Sequence, residues 1–505
     1  MIFTRPRFRI PTFAEFIRRS AFPFIMALAV FAIPALAATN GHGGDAVELD
    51  KAAMIRNPWA IGALVVFFLS YLAVLFEEQT HMRKSKPVML GAGLIWIFIG
   101  IMAPNYNIDH HTLRAAVFHG LEEYGALMLF LLAAMTYIAA LQERKVFATL
   151  RGKLVAAGMN MRQLFWATGI FAFMLSPIAD NLTTALVLGA VVMAVGANDP
   201  KFVAISCINI VNAANAGGAF SPFGDITTLM VWQAGHVEFF DFFPLFLPSL
   251  VCFIVPATIM SFFINPHKPM ALKEKIKMKR GARLIILLGL CTIGMAISFE
   301  QFLGLPPFLG MLTGMSLLMI TAYFIRKTTK DSNEKIDILA EVANAEWDTL
   351  LFFYGVIFSV GGLTFLGYLE LMSDTMYDGW GASITNIIMG FASAIIDNIP
   401  VMFAILSMSP DLDQFQWLLV TLTCGVGGSM LSIGSAAGVA LMGVARGQYT
   451  FFGHLKWTPV IMLGYAASIW VHFLVNDGLV GKYTAQDLAA HEKHVAELNL
   501  SEAAH

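Results

Sequence analysis

The sequence predicts an all-α polytopic membrane protein made of two inverted structural repeats, each with a re-entrant hairpin and a broken transmembrane helix. Three observations carry that expectation. Of 505 residues, 57 % are hydrophobic and 13 % charged, with a mean hydropathy of +0.70. Soluble globular proteins carry roughly 25 % charged residues, so too little polar side chain is present to coat a water-soluble surface. Long apolar runs recur along the chain, and polar interruptions recur in the same order in both halves. The formal net charge of −2 gives no sign of a nucleic-acid partner. Cys207, Cys252, Cys291 and Cys424 stand singly, without a CxxC, which argues against a disulfide framework or a zinc site.

Residues 1–38 read as a signal peptide or a first transmembrane helix. Arg5, Arg7, Arg9, Arg18 and Arg19 precede the apolar run 21–38, and Ala35-Leu36-Ala37 offers small residues at signal-peptidase spacing. Either reading leaves residues 39–58 outside the cytoplasm. A helix crossing the ~30 Å hydrocarbon core needs about 20 apolar residues. Candidates are 59–77, 88–103, 121–142, 243–265, 283–299, 305–325, 347–367 and 457–475. Loops 78–87 (with Arg83, Lys84 and Lys86), 143–162, 266–283 and 326–346 are rich in Lys and Arg and are assigned to the cytoplasm by the positive-inside rule. Loop 104–120 and segment 476–505 are poor in them and are assigned outside.

Two regions do not read as simple spans. Residues 163–197 are apolar but interrupted at Ser176-Pro177-Ile178-Ala179-Asp180-Asn181. Each arm would be roughly 23 Å of helix at 1.5 Å per residue, short for a crossing and suited to a re-entrant hairpin. A broken span at 200–235 restores the orientation count. The second half repeats this, with a hairpin at about 385–410 broken at Asp397-Asn398 and a broken helix at about 415–446.

The repeat rests on three landmarks. Glu122-Glu123-Tyr124-Gly125 parallels Glu346-Trp347-Asp348-Thr349, Ser176…Asp180-Asn181 parallels Ser393…Asp397-Asn398, and Gly217-Gly218…Gly224 parallels Gly427-Gly428…Gly434. The orientation count runs span 121–142 inward and 347–367 outward, so the repeats, 59–265 and 283–475 about a cytoplasmic linker at 266–282, are inverted. Inverted repeats with broken helices place a secondary transporter's site near the bilayer midplane.

Asp180 and Asp225 fall at membrane depth, where a carboxylate costs at least ~2.5 kcal/mol and persists where it lines a functional cavity. Pro177 is expected to stop the helix and free backbone carbonyls beside Asp180. The run Asn212–Thr228 places glycines, Pro222, Asn215, Ser221, Asp225, Thr227 and Thr228 inside a span. Its second-half partner carries Ser432 and has Ser435 where the first half has the aspartate. An asymmetric oxygen-rich site for a hard cation such as Na⁺ or Li⁺ follows, with Asp180, Asp225 and Asp397 as its acids and protons competing for them. On this reading Asp180 and Asp225 converge, and Asp225→Asn and Asp180→Asn each abolish cation-evoked proton flux. His119, His236, Glu346 and Asp348 are candidates for proton relay or pH response, each with an ordinary interfacial or capping role as its alternative. His110-His111 with Asp109 read as an external loop, with a metal site as the alternative.

These motifs resemble the NhaD family of Na⁺/H⁺ antiporters, within a superfamily that also holds arsenite permeases and sodium–dicarboxylate carriers. The resemblance spans roughly 59–475 and is specific at 176–184, 212–232, 393–400 and 427–438. Dicarboxylate carriers have neutral Ser-Asn-Thr hairpin tips, whereas here the tips read Asp180-Asn181 and Asp397-Asn398. The resemblance implies a scaffold and a mobile transport domain, a homodimer in a bacterial inner membrane, an elevator-like step, and no cofactor beyond the exchanged ions. It also implies that Asp180, Asn181, Asn215, Asp225, Thr227, Thr228, Ser393, Asp397, Asn398, Ser432 and Ser435 carry transport. Two rivals are weighed against it. An oxyanion or carboxylate carrier of the same fold would need cationic or neutral tips, and 163–200 and 385–445 offer no buried Arg or Lys there. An intramembrane aspartyl protease would leave the duplicated hairpins without a purpose.

Overall fold

The protein is seen in a computed structural model that describes residues 51–80, 82–196, 199–268, 277–329, 335–343, 345–445 and 447–481. The expected signal or first span at 1–38 and most of the C-terminal tail lie outside them. The described residues form helices, and seven of these are long and apolar enough to cross a membrane. The chain is an all-helical polytopic membrane protein.

The first half runs α1 (Pro58–Leu75), α2 (Ser85–Met102), α3 (His110–Glu143), α4 (Met161–Ala179), α5 (Asn181–Val195), α6 (Pro200–Gly218), α7 (Ile226–Gln233) and α8 (Phe246–Ser261). The second runs α9 (Ala282–Leu303), α10 (Pro307–Thr328), α11 (Trp347–Phe365), α12 (Ala382–Ile396), α13 (Asn398–Met408), α14 (Gln414–Gly427), α15 (Ala436–Val444) and α16 (Thr458–Val475). Each half therefore reads as three long helices, a helix pair broken at one residue, a helix broken in its middle, and a closing helix.

The contacts between halves exchange in the same way. Helix α2 packs on α11 while α10 packs on α3. Helix α5 packs on α15 while α13 packs on α7, and α6 meets α15 while α14 meets α7. Helices at corresponding places meet one another: α3 with α11, α6 with α14, and α8 with α16.

Local sequence explains the boundaries. Asn160 and Gln163 form a reciprocal capping box that starts α4. Asp199, Asp225 and Asp413 accept backbone N–H bonds at the starts of α6, α7 and α14. Two expectations change. Residues 110–120 are not a loop: Asp109 caps a helix at Thr112 N (2.8 Å), and nothing between it and Glu143 breaks the turn. His110, His111, His119, Glu122 and Glu123 therefore sit on one 34-residue helix, with Glu122 and Glu123 exposed on it. The landmark they share with Glu346 thus falls well inside α3 but at the start of α11. Pro177 does not stop α4 either, because the helix continues to Ala179 and the break is confined to Asp180. Proline removes only its own N–H, and the Phe173 carbonyl four residues back is left to another use.

That use is close packing. A Cβ on Gly217 would lie 2.3 Å from the Phe173 carbonyl oxygen, and one on Gly427 would lie 2.2 Å from that of Gly390. No other residue permits α6 to lie on α4, or α14 on α12, at this distance. Ser176 Oγ donates to Ala214 O (2.6 Å) and Ser393 Oγ to Cys424 O (2.7 Å), pinning the same two helix pairs. The hairpins are thereby fixed against the broken helices that face them.

Candidate functional site

Four helix starts meet at the centre of this arrangement: those of α5, α7, α13 and α15. Asp225 lies in extended backbone at the start of α7 and is 3 % exposed. Its carboxylate receives donors from both hairpins. Asn181 Nδ2 donates to Oδ2 at 3.1 Å, and Asn398 Nδ2 donates to Oδ1 and Oδ2 at 3.2 and 3.1 Å. Thr227 N adds 3.0 Å to Oδ1. Asn181 Nδ2 also reaches Asn215 Oδ1 at 3.0 Å. Asn215 Nδ2 in turn donates to Ser429 Oγ and Ser435 Oγ, both at 3.0 Å. One hydrogen-bonded chain thus joins both hairpins and both broken helices through Asp225 and Asn215.

Helix starts present partial positive charge and suit anions. Four of them around one point would repel a cation unless carboxylates were supplied. Asp225 supplies one there, and Asp180 and Asp397 stand at the two tips. Both tip residues hold positive φ, 56° for Asp180 and 90° for Asp397, a conformation that costs a non-glycine residue about 1–3 kcal/mol.

The two tip aspartates are used differently. Asp180 caps its own helix, accepting Thr183 N at 2.7 Å and Thr183 Oγ1 at 2.9 Å. It does not converge on Asp225 as the sequence suggested; its neighbour Asn181 makes that contact. So of the two tip residues Asn181 bonds into the cluster, while the Asp180 carboxylate bonds within its own helix start. Asp397 makes no cap. It is 7 % exposed, close enough for its charge to act on Asp225, and bonded through Oδ2 to Lys84 Nζ at 3.2 Å. Its Oδ1 is buried without a partner among the described residues, as are the hydroxyls of Thr184 and Ser432. Buried oxygens left unmatched cost free energy, and a ligand that takes them recovers it.

The remaining sequence candidates divide. Thr228 Oγ1 turns to Ala219 O at 3.4 Å and Ser221 Oγ to Pro177 O at 2.9 Å, both tying down the break between α6 and α7. Ser435 also caps α15 at Gly438 N. Asp348 Oδ1 accepts from Ser85 Oγ at 2.5 Å, and Glu346 Oε2 from Thr349 Oγ1 at 3.2 Å. His119 pairs with Glu123 at 3.6 Å on an exposed face of α3, and His236 stacks on Trp417 with ring centroids 3.9 Å apart. Neither histidine joins the Asp225 cluster. Lys84 and Ser429 were not recognised from sequence as site residues. Lys84 carried only a topology signal, and its partner lies 313 residues away; Ser429 stood inside a glycine run read as backbone.

A polar cluster held between broken helices in a polytopic bundle defines a membrane transporter. The family model described as Citrate transporter matches residues 71–425. The Na(+)/H(+) antiporter NhaD of Vibrio cholerae is 50 % identical over 474 residues, covering 90 % of this chain and 98 % of that protein. That of Vibrio parahaemolyticus is 56 % identical over 407 residues, 76 % of this chain and 98 % of that protein. Sodium/proton antiporter 1 of Arabidopsis thaliana is 31 % identical over 455 residues, covering 86 % and 76 %. The chain belongs to the NhaD family.

Proposed function

We propose that this protein exports Na⁺, and Li⁺ with it, in exchange for H⁺, with cation and protons competing for Asp225, Asp397 and Asp180. The names of its relatives support the exchanged ions. The observation that carries the reading is one buried carboxylate held by an asparagine from each hairpin tip. An asparagine amide offers a donor on one side and an oxygen on the other. Rotating Asn181 and Asn398 about their side chains would turn both amide oxygens toward a cation at Asp225, with Ser432 and the free Asp397 oxygen in reserve. Protons returning to the carboxylates would reverse this.

The division into repeats 59–265 and 283–475, inverted about the linker 266–282, is part of this proposal. It is supported by the repeated order of elements and by the exchange of contacts between halves. A mobile unit formed by the hairpins and broken helices, alternating access, a homodimer, a bacterial inner-membrane location and an external C-terminus also belong to this proposal. With loop 78–87 in the cytoplasm, the Asp397 tip lies at the cytoplasmic end of α2, where it meets Lys84. The site then faces inward. Roles in pH homeostasis and salt tolerance follow from such an export.

A second reading, an anion carrier, draws on the four converging helix starts and on Lys84. The buried carboxylate of Asp225, with that of Asp397 at the neighbouring tip, opposes it. Everted vesicles separate the two: NaCl and LiCl are expected to collapse a dye-reported ΔpH, with KCl as a comparison and citrate without effect. Citrate-dependent flux with no response to Na⁺ would favour the anion carrier.

A further inference from the structure

We propose that Lys84 is the built-in competitor for the transported cation, its ammonium seated on Asp397 when the site is empty and released from it when Na⁺ loads. The proposal rests on the antiport reading above.

The pair joins two parts of the chain that no shared helix connects. Lys84 immediately precedes α2, whereas Asp397 is the tip of the α12–α13 hairpin. Both side chains are largely buried, 15 % and 9 % exposed, so the charges are little screened by solvent. At 3.2 Å the contact is longer than the ~2.7–2.9 Å of a tight charge-assisted bond, and only one carboxylate oxygen is used. The other is buried and unpartnered. An ion arriving at that free oxygen meets an ammonium already neutralising the same carboxylate, so the two cations compete.

The ammonium also has somewhere to go. It lies 4.3 Å from the Phe352 ring centre, a favourable seat for a cation. Acids lie nearby: the charges of Lys84, Asp348 and Asp397 all act on Glu77, and Ser85, next to Lys84, holds Asp348. Released from Asp397, Lys84 remains among acids at the mouth of the site. Tyr71 also borders Asp397 from α1. A lysine that leaves the hairpin only when a cation replaces it would tie loading to freedom of the tip.

The test uses the full chain in everted vesicles at one fixed pH. Lys84→Gln is expected to lower the half-saturating Na⁺ concentration at least threefold and to reduce the maximal rate, while Lys84→Arg keeps both near wild type. A half-saturating concentration that is unchanged or raised in Lys84→Gln would overturn the proposal. A second arm needs no transport by the variant. Acylation of Lys84 by an amine-directed reagent, read by mass spectrometry, is expected to speed up severalfold with saturating Na⁺ in place of choline. In Asp397→Asn it is expected to be fast with or without Na⁺. Labelling of wild-type Lys84 that ignores Na⁺ would sink the idea even if Lys84→Gln does not fold. Wild-type vesicles without any Na⁺-evoked proton flux would count against antiport itself; a wild type that exchanges beside an unaltered Lys84→Gln would count against Lys84 alone.

Discussion

Asp225 is held by amides rather than by cations, and that choice shapes what its neighbours do. An amide hydrogen bond to a charged group contributes about 1.5–3 kcal/mol, so losing one should matter by roughly tenfold or more. Asn181→Ala and Asn398→Ala are each expected to raise the half-saturating Na⁺ concentration on the order of tenfold, measured as ΔpH collapse against NaCl. Unequal losses would show that one hairpin dominates. Asp180→Asn separates charge from capping. Asparagine caps a helix about as well as aspartate and tolerates positive φ. The variant is therefore expected to keep wild-type helical content and melting temperature while losing exchange. Loss of folding instead would assign Asp180 to the hairpin alone.

At the scale of elements, the hairpins are positioned by backbone contacts that admit no side chain. Gly217→Ala and Gly427→Ala force a Cβ onto a carbonyl oxygen, and each is expected to destabilise by about 1–3 kcal/mol. Thermal unfolding followed in detergent checks this, and a wild-type midpoint in both would refute the packing argument. These elements were also the most legible in the sequence. Asp180 and Asp397 marked both breaks because charged tips interrupt apolar runs, and the paired glycines marked the helices that face them. The start of α3 was not legible, since His110–Gly120 lacks the apolarity that locates a span, and its only start signal is the short cap from Asp109. Pro177 misled for a related reason: a proline cancels one hydrogen bond, and here Gly217 packs on the carbonyl it frees.

Across the whole molecule, residues far apart in sequence become one site because two similar halves face each other. Asn181, Asp225 and Asn398 come from three different helix starts, and the order of landmarks was enough to group them. That both asparagines bond Asp225 while Asp180 caps its own helix was not legible. Each tip aspartate holds a positive φ, which no periodicity reports. Lys84 escaped for the same reason, since a pairing across 313 residues leaves no local pattern. Exchange by this route requires Na⁺ and protons to share the buried carboxylates. Calorimetric titration of purified protein with NaCl, repeated in two buffers of different ionisation enthalpy, measures that exchange without a membrane. Na⁺ binding by the wild type is expected to release protons, and Asp225→Asn is expected neither to bind Na⁺ nor to release them; Na⁺ binding with no proton release in the wild type, or intact in Asp225→Asn, would contradict the account.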